Sequence, residues 1–205
     1  MNSNARFALL LVDVQKDFCR GGTLAVPGGD LILPTLNRLI ALYARLDYSI
    51  FATRDWHPVD SKHFLEYGGV WPAHCITGTP GAEFHQELKL SAGAVIVSKG
   101  QSRLADGYSA FDGRTSADVL FRDELAKRAI SKLYVTGLAT DYCVRHSVVD
   151  ALHAGLSVCL VTDAIAGVDR NPGDVERALC EMHDAGAEFS TADEIEGELP
   201  RINSQ

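Results

Sequence analysis

No stretch of the 205-residue chain is apolar for long enough to cross a membrane. The run at residues 7–12 is short, and Asp13 ends it. Basic residues are in deficit: 19 Lys and Arg stand against 27 Asp and Glu, a net charge of −8. No Lys/Arg cluster appears, so nucleic acid is excluded as an expected partner, because phosphate binding needs one. Low-complexity tracts and internal repeats are missing, and the mean hydropathy is close to zero, at +0.01. Both argue against disorder. The start, Met1 to Phe7, lacks the charged-then-apolar pattern of an export signal. Cysteines are few and odd in number, at positions 19, 75, 143, 159 and 180. That suits reduced thiols in a cytoplasmic protein better than a disulfide framework. A small-molecule partner is expected, with no membrane and no nucleic acid; a homo-oligomer stays open.

What is present is the composition of a globular enzyme, 46% hydrophobic and 22% charged. Strand-like apolar runs at residues 7–12, 48–53, 94–98, 133–136, 157–161 and 187–189 alternate with amphipathic stretches near 30–45, 116–129, 143–155 and 173–186. Gly155 and Gly186 follow two of these stretches, where helices end. Near-continuous apolar strands indicate a parallel sheet covered on both faces. The spacing predicts a single domain over 1–205, with a three-layer α/β/α fold around a mainly parallel six-stranded sheet. Residues 56–93 form a long insertion after the second strand, and residues 190–205 read as a terminal turn and tail.

In an open α/β sheet, ligands bind beyond the carboxyl ends of the strands. The first strand ends at Asp13. The second ends Thr53-Arg-Asp55-Trp-His57, the third at Lys99-Gly, and the fourth runs into Ala139-Thr-Asp-Tyr-Cys143. Asp55, His57, His63 and His74 crowd within twenty residues. One carboxylate with two or three imidazoles suits Zn²⁺, Fe²⁺ or Mn²⁺. A polar loop with surface histidines is the plainer alternative.

Cys143 is expected to open a helix capped by Thr140 or Asp141, where free N–H groups and the dipole favour a thiolate. A nearby Lys99 would lower the thiol pKa further. Asp13 is the natural proton acceptor, with Lys99 as its partner. Cys159 and Cys180 read as small buried hydrophobes, and Cys19 and Cys75 as structural.

These residues, in this order, resemble the nicotinamidases (also pyrazinamidases) of the isochorismatase-like cysteine hydrolases. The matching pieces are the segment from Val12 to Val26, Arg54-Asp-Trp-His-Pro58, the segment from Trp71 to Phe84, Lys99-Gly, Tyr108-Ser-Ala-Phe and Gly137-Leu-Ala-Thr-Asp-Tyr-Cys-Val144. The resemblance runs from about Phe7 to about Phe189. The resemblance implies a catalytic triad of Asp13, Lys99 and Cys143, and metal ligands Asp55, His57 and His74. Either His63 or a water held by Ser61 completes the shell. It implies a cis peptide at Leu138-Ala139, with the Ala139 and Cys143 N–H groups as an oxyanion hole. Phe18, Leu24, Trp71 and Tyr108 would wall a flat pocket, ordinary core packing being an equal reading for Leu24. The implied reaction is deamidation of nicotinamide, or pyrazinamide, in NAD salvage. Another hydrolase of this fold with a different small amide, and a binding protein without catalysis, are the alternatives.

Overall fold

A computed structural model describes residues 6–202. The reading of the chain start as lacking an export signal, and the end of the expected tail at 203–205, fall largely outside them. One sheet runs through the molecule. Its strands are β1 (Arg6–Val12), β2 (Ser49–Asp55), β3 (Val95–Lys99), β4 (Arg114–Thr115), β5 (Ile130–Leu138), β6 (Ser157–Ala166) and β7 (Glu188–Ser190). Their order is β4-β3-β2-β1-β5-β6-β7, parallel throughout except for the β3–β4 pair.

The Ala-Leu-Leu-Leu-Val run of β1 explains the layering. Successive side chains of a strand point to opposite faces. Leu9 and Leu11 join one core with Leu36, Leu39 and Ile40 of α1 (Leu33–Arg45) and Ile195 and Leu199 of α5 (Ala192–Ile202). Ala8, Leu10 and Val12 join another, with Phe121 and Leu125 of α2 (Phe121–Lys127), Val148 and Ala151 of α3 (Arg145–His153), and Met182 of α4 (Asp174–Asp184). Both faces are dry from Phe7 to Val12, so every residue of that run is apolar. α3 and α4 stop as expected. Gly155 and Gly186 take φ of +83° and +106°. The following N–H groups of Leu156 and Ala187 reach back to the Ala151 and Met182 carbonyls.

Three expectations need correction. The sheet has seven strands, not six: β4 is two residues long and antiparallel, too short to carry a period. The helix expected over 116–129 begins only at Phe121, because Thr115 N–H bonds Val119 O across a turn with Asp118 at φ +59°. The expected terminal tail is mostly α5. Thr191 and Glu194 cap it reciprocally, Glu194 N–H to Thr191 Oγ1 and Thr191 N–H to Glu194 Oε2, a Thr-x-x-Glu signature. Among the described residues no helix is long and apolar enough to cross a membrane.

Candidate active site and metal centre

Strand order reverses between β1 and β5: the chain builds β2, β3 and β4 on one side and β6 and β7 on the other. A crevice opens at such a switch point beyond the carboxyl ends. Asp13 follows β1, Asp55 ends β2, Lys99 ends β3, and Cys143 lies in the turn after β5. All four side chains meet there, buried.

Lys99 Nζ is the hub. It lies 2.8 Å from Asp13 Oδ2, 2.5 Å from Asp55 Oδ1 and 3.3 Å from Cys143 Sγ, and it donates to Gly107 O at 3.2 Å. Asp13 is fixed by Thr53, whose hydroxyl donates to Asp13 Oδ1 at 2.6 Å and accepts the Asp13 N–H. Asp13 Oδ2 is close to the ammonium but off the hydrogen-bond line, so it has no conventional partner. A free carboxylate lone pair beside a thiol is what a general base needs.

Burial decides the protonation states. It raises the Asp13 pKa, Lys99 only partly opposes it, and the result is about 6. Asp13 is thus charged at neutral pH yet ready to take a proton. Burial also pushes the Cys143 thiol well up, against the pull of Lys99. Cys143 therefore rests as a thiol, and Asp13, the expected proton acceptor, must deprotonate it. Burial would raise Asp55 too, but Lys99 and the adjacent imidazoles outweigh it and hold the carboxyl below its usual range. The ammonium of Lys99 survives its burial because Asp13 and Asp55 flank it. Lys99→Ala leaves those two carboxylates buried with no countercharge. Breaking a buried pair costs about 3–5 kcal/mol, so chemical denaturation is expected to report a loss of that order; a loss under about 1 kcal/mol would contradict this role for the hub.

The elbow after β5 carries the expected cis peptide but neither the expected helix start nor the expected cap. The Leu138–Ala139 peptide is cis. Residues Thr140–Val144 form a wide turn in which Val144 N–H reaches Ala139 O, five residues back. Such turns are frequent at functional sites. The regular helix starts at Arg145, and neither Thr140 nor Asp141 caps it. Asp141 instead accepts the N–H groups of Val168 and Asp169, at 2.9 and 2.8 Å.

Next to the triad, the ligand atoms of His57, His63 and His74 lie within 4.8 Å of one another. Asp55 Oδ2 is 3.6 Å from His57 Nε2. Every ring is engaged through Nδ1: His57 with Gly100 O at 3.0 Å, His74 with Pro72 O at 2.7 Å, and His63 with Asp106 Oδ1 at 2.7 Å. A carbonyl only accepts, so Nδ1 of His57 and His74 carries the proton and Nε2 presents a lone pair. Outer partners of this kind are what orient metal-binding imidazoles. His57 Nε2 is buried with no hydrogen-bond partner. Burial lowers the His74 pKa to about 4 and lowers that of His63, which keeps them neutral, as ligation requires. This donor set fits a divalent metal ion. Ser61 Oγ accepts the His63 N–H at 3.2 Å.

One pocket joins the two halves. Cys143 and Ala139 line it on one side, Asp55, His63 and His74 on another, and Phe18, Leu24, Trp71 and Tyr108 wall it. Trp71 Nε1 donates to Tyr108 OH at 2.8 Å, which locks two of the aromatic walls together.

A profile of the isochorismatase domain matches residues 7–194. The chain belongs to the isochorismatase family. Within that family it is 42% identical over 204 residues to the nicotinamidase of Escherichia coli strain K12, covering 90% of this chain and 94% of that one. It is 38% identical to the nicotinamidase/pyrazinamidase of Mycobacterium tuberculosis, over 89% of this chain and 97% of the relative. The crystal structure of the pyrazinamidase of Pyrococcus horikoshii in complex with zinc superposes with a TM-score of 0.83 at 42% identity, covering 91% of this chain and 99% of that one.

This isochorismatase-family site also contains residues that sequence reasoning missed. Val26, Tyr142 and Val168 complete the pocket lining. Gln15, fully buried, clamps the end of β2: its amide donates to Asp55 O and Ala82 O, and its carbonyl accepts the Asp55 N–H, each at 2.8 Å. Thr53 could have been found, since it sits two residues before Asp55 and so shares its strand face. Gln15 and Asp106 had no such signal. Of the other cysteines, Cys19, Cys75 and Cys159 are buried as expected, but Cys180 is exposed rather than packed, because it falls on the solvent side of α4.

Proposed function

We propose that the chain deamidates nicotinamide to nicotinate and ammonia, and pyrazinamide likewise, with Cys143 as nucleophile. The observation that carries this reading is the hub geometry: one ammonium within reach of Asp13, Cys143 and Asp55 ties an acid–base nucleophile to a metal-type cluster across one aromatic-walled pocket. The nicotinamidase relatives support the substrate class.

Asp13 takes the thiol proton, and the sulfur attacks the carboxamide carbon. The developing oxyanion falls to the N–H groups of Ala139 and Cys143, two residues that line the pocket. One such donor is worth about 10²–10³ in rate. The C–N bond breaks as Asp13 passes its proton to the leaving ammonia, leaving a thioester. Asp13 then draws a proton from water, which attacks the thioester. Nicotinate leaves and the thiol is restored. Asp55, His57, His63 and His74 would hold a divalent ion, with zinc our choice, and its chemistry is Lewis-acid attachment of the pyridine nitrogen. Phe18, Leu24, Trp71 and Tyr108 would exclude water and keep the ring flat.

We read residues 6–202 as one domain, because a single sheet runs through all of them. Five free cysteines support a reducing, cytoplasmic setting, and the reaction suits pyridine nucleotide salvage.

With the ring held on one side and Cys143 on the other, only a nitrogen meta to the carboxamide serves both. Nicotinamide and pyrazinamide are expected to turn over, and benzamide, picolinamide and isonicotinamide to be slower by orders of magnitude, since effective molarity depends on alignment. Ammonia release gives kcat/KM for all five. Benzamide within tenfold of nicotinamide, about 1.4 kcal/mol, would contradict ring anchoring.

A further inference from the structure

Three consecutive residues each grip a different part of the site. Asp106 Oδ1 bonds His63 Nδ1 at 2.7 Å. Gly107 O accepts from Lys99 Nζ at 3.2 Å. Tyr108 OH accepts from Trp71 Nε1 at 2.8 Å. The strap lies flat against the end of β3: a Cβ on Gly107, which has φ +68°, would sit 2.5 Å from Gly100 N. Gly100 O in turn holds His57.

The three imidazoles are oriented in two different ways. His57 and His74 give their Nδ1–H to backbone carbonyls, which no side-chain change removes. His63 depends on a side chain, and that side chain is reached from outside: Asp106 is 59% exposed while His63 is 3% exposed. His63 sits in the insertion after β2, outside the sheet, so no strand fixes its ring.

We propose that Asp106 is a positioning residue for the metal centre: its carboxylate holds the His63 Nδ1–H, presents Nε2 to the ion, and ties ion affinity to the strap that also carries Tyr108. This rests on the reading of Asp55, His57, His63 and His74 as the metal site.

The test is zinc affinity of the whole chain, measured by competition with a chromophoric chelator. Asp106→Ala is expected to bind zinc roughly 10–100-fold more weakly than the parent, the usual loss for an outer-shell partner. Asp106→Asn keeps an oxygen that accepts the Nδ1–H, so its affinity is expected to fall between the two. In a His63→Ala background the Asp106→Ala change is expected to have almost no further effect, because the coupling runs through that ring. Parent-like affinity in Asp106→Ala, or an undiminished loss in the His63→Ala background, would overturn the positioning role while leaving the metal site standing. A parent chain that binds no zinc would overturn the metal reading and this inference with it.

Discussion

Cys143→Ala is expected to abolish nicotinamide hydrolysis while leaving zinc content and fold in place. The thiol is the group that becomes covalently attached to the acyl carbon, and nothing else in the pocket replaces it: Cys19, Cys75 and Cys159 do not line the pocket. Removing a nucleophile from a catalytic triad typically costs on the order of 10⁴–10⁶ in kcat. The structural cost is small by comparison. Losing one buried sulfur costs about 1 kcal/mol, which for a chain of this size lowers Tm by about 2–4 °C. The four metal-type side chains keep their partners, because Cys143 bonds none of the three histidines. Steady-state turnover within about a hundredfold of the parent would remove Cys143 from the nucleophile's role.

His74→Ala is expected to strip the metal. Structural zinc sites gain about 10–16 kcal/mol from four ligands, so one ligand carries roughly 3 kcal/mol, about a hundredfold in affinity. His74 is well prepared for that part. Its ring is 5.2 Å from His57 and 5.4 Å from His63 between centroids. Its Nδ1 is engaged by Pro72 O, and Phe18 and Phe64 pack beside it. The measurement is elemental analysis after dialysis, together with kcat/KM. Zinc is expected well below one per chain, and kcat/KM reduced mainly through KM, since substrate anchoring is what is lost. Stoichiometric zinc in the variant would exclude His74 as a ligand. Asp55→Ala is the less clean alternative, because it also leaves Lys99 with a single carboxylate partner.

Much of this architecture is legible in the residue order. The uniform apolar run at residues 7–12 announces a strand buried on both faces, and a parallel sheet then sends Asp13, Asp55, Lys99 and Cys143 to one edge. The expected pocket walls Phe18, Leu24, Trp71 and Tyr108 all line the cavity. What stayed hidden has physical causes. β4 is held by its partner strand rather than by any pattern of its own. α5 was readable through its Thr191–Glu194 cap, but its apolar Ile195 and Leu199 are sparse beside the acidic residues around them. The sequence reveals which charges are near Cys143 but not how completely water is excluded, and here desolvation exceeds the effect of Lys99. Asp106 and Gln15 act through contacts spanning 43 and 40 residues, which no local spacing encodes.

The central claim is that the pocket joining Cys143 to the histidine cluster cleaves a pyridine carboxamide. The most direct measurement is ammonia release from nicotinamide by the zinc-loaded chain, run beside its Cys143→Ala variant. Sustained release by the parent, with nicotinate formed in equal amount and none above background from the variant, is the predicted result. No release by a parent chain carrying one zinc, or equal release by the variant, would contradict the account.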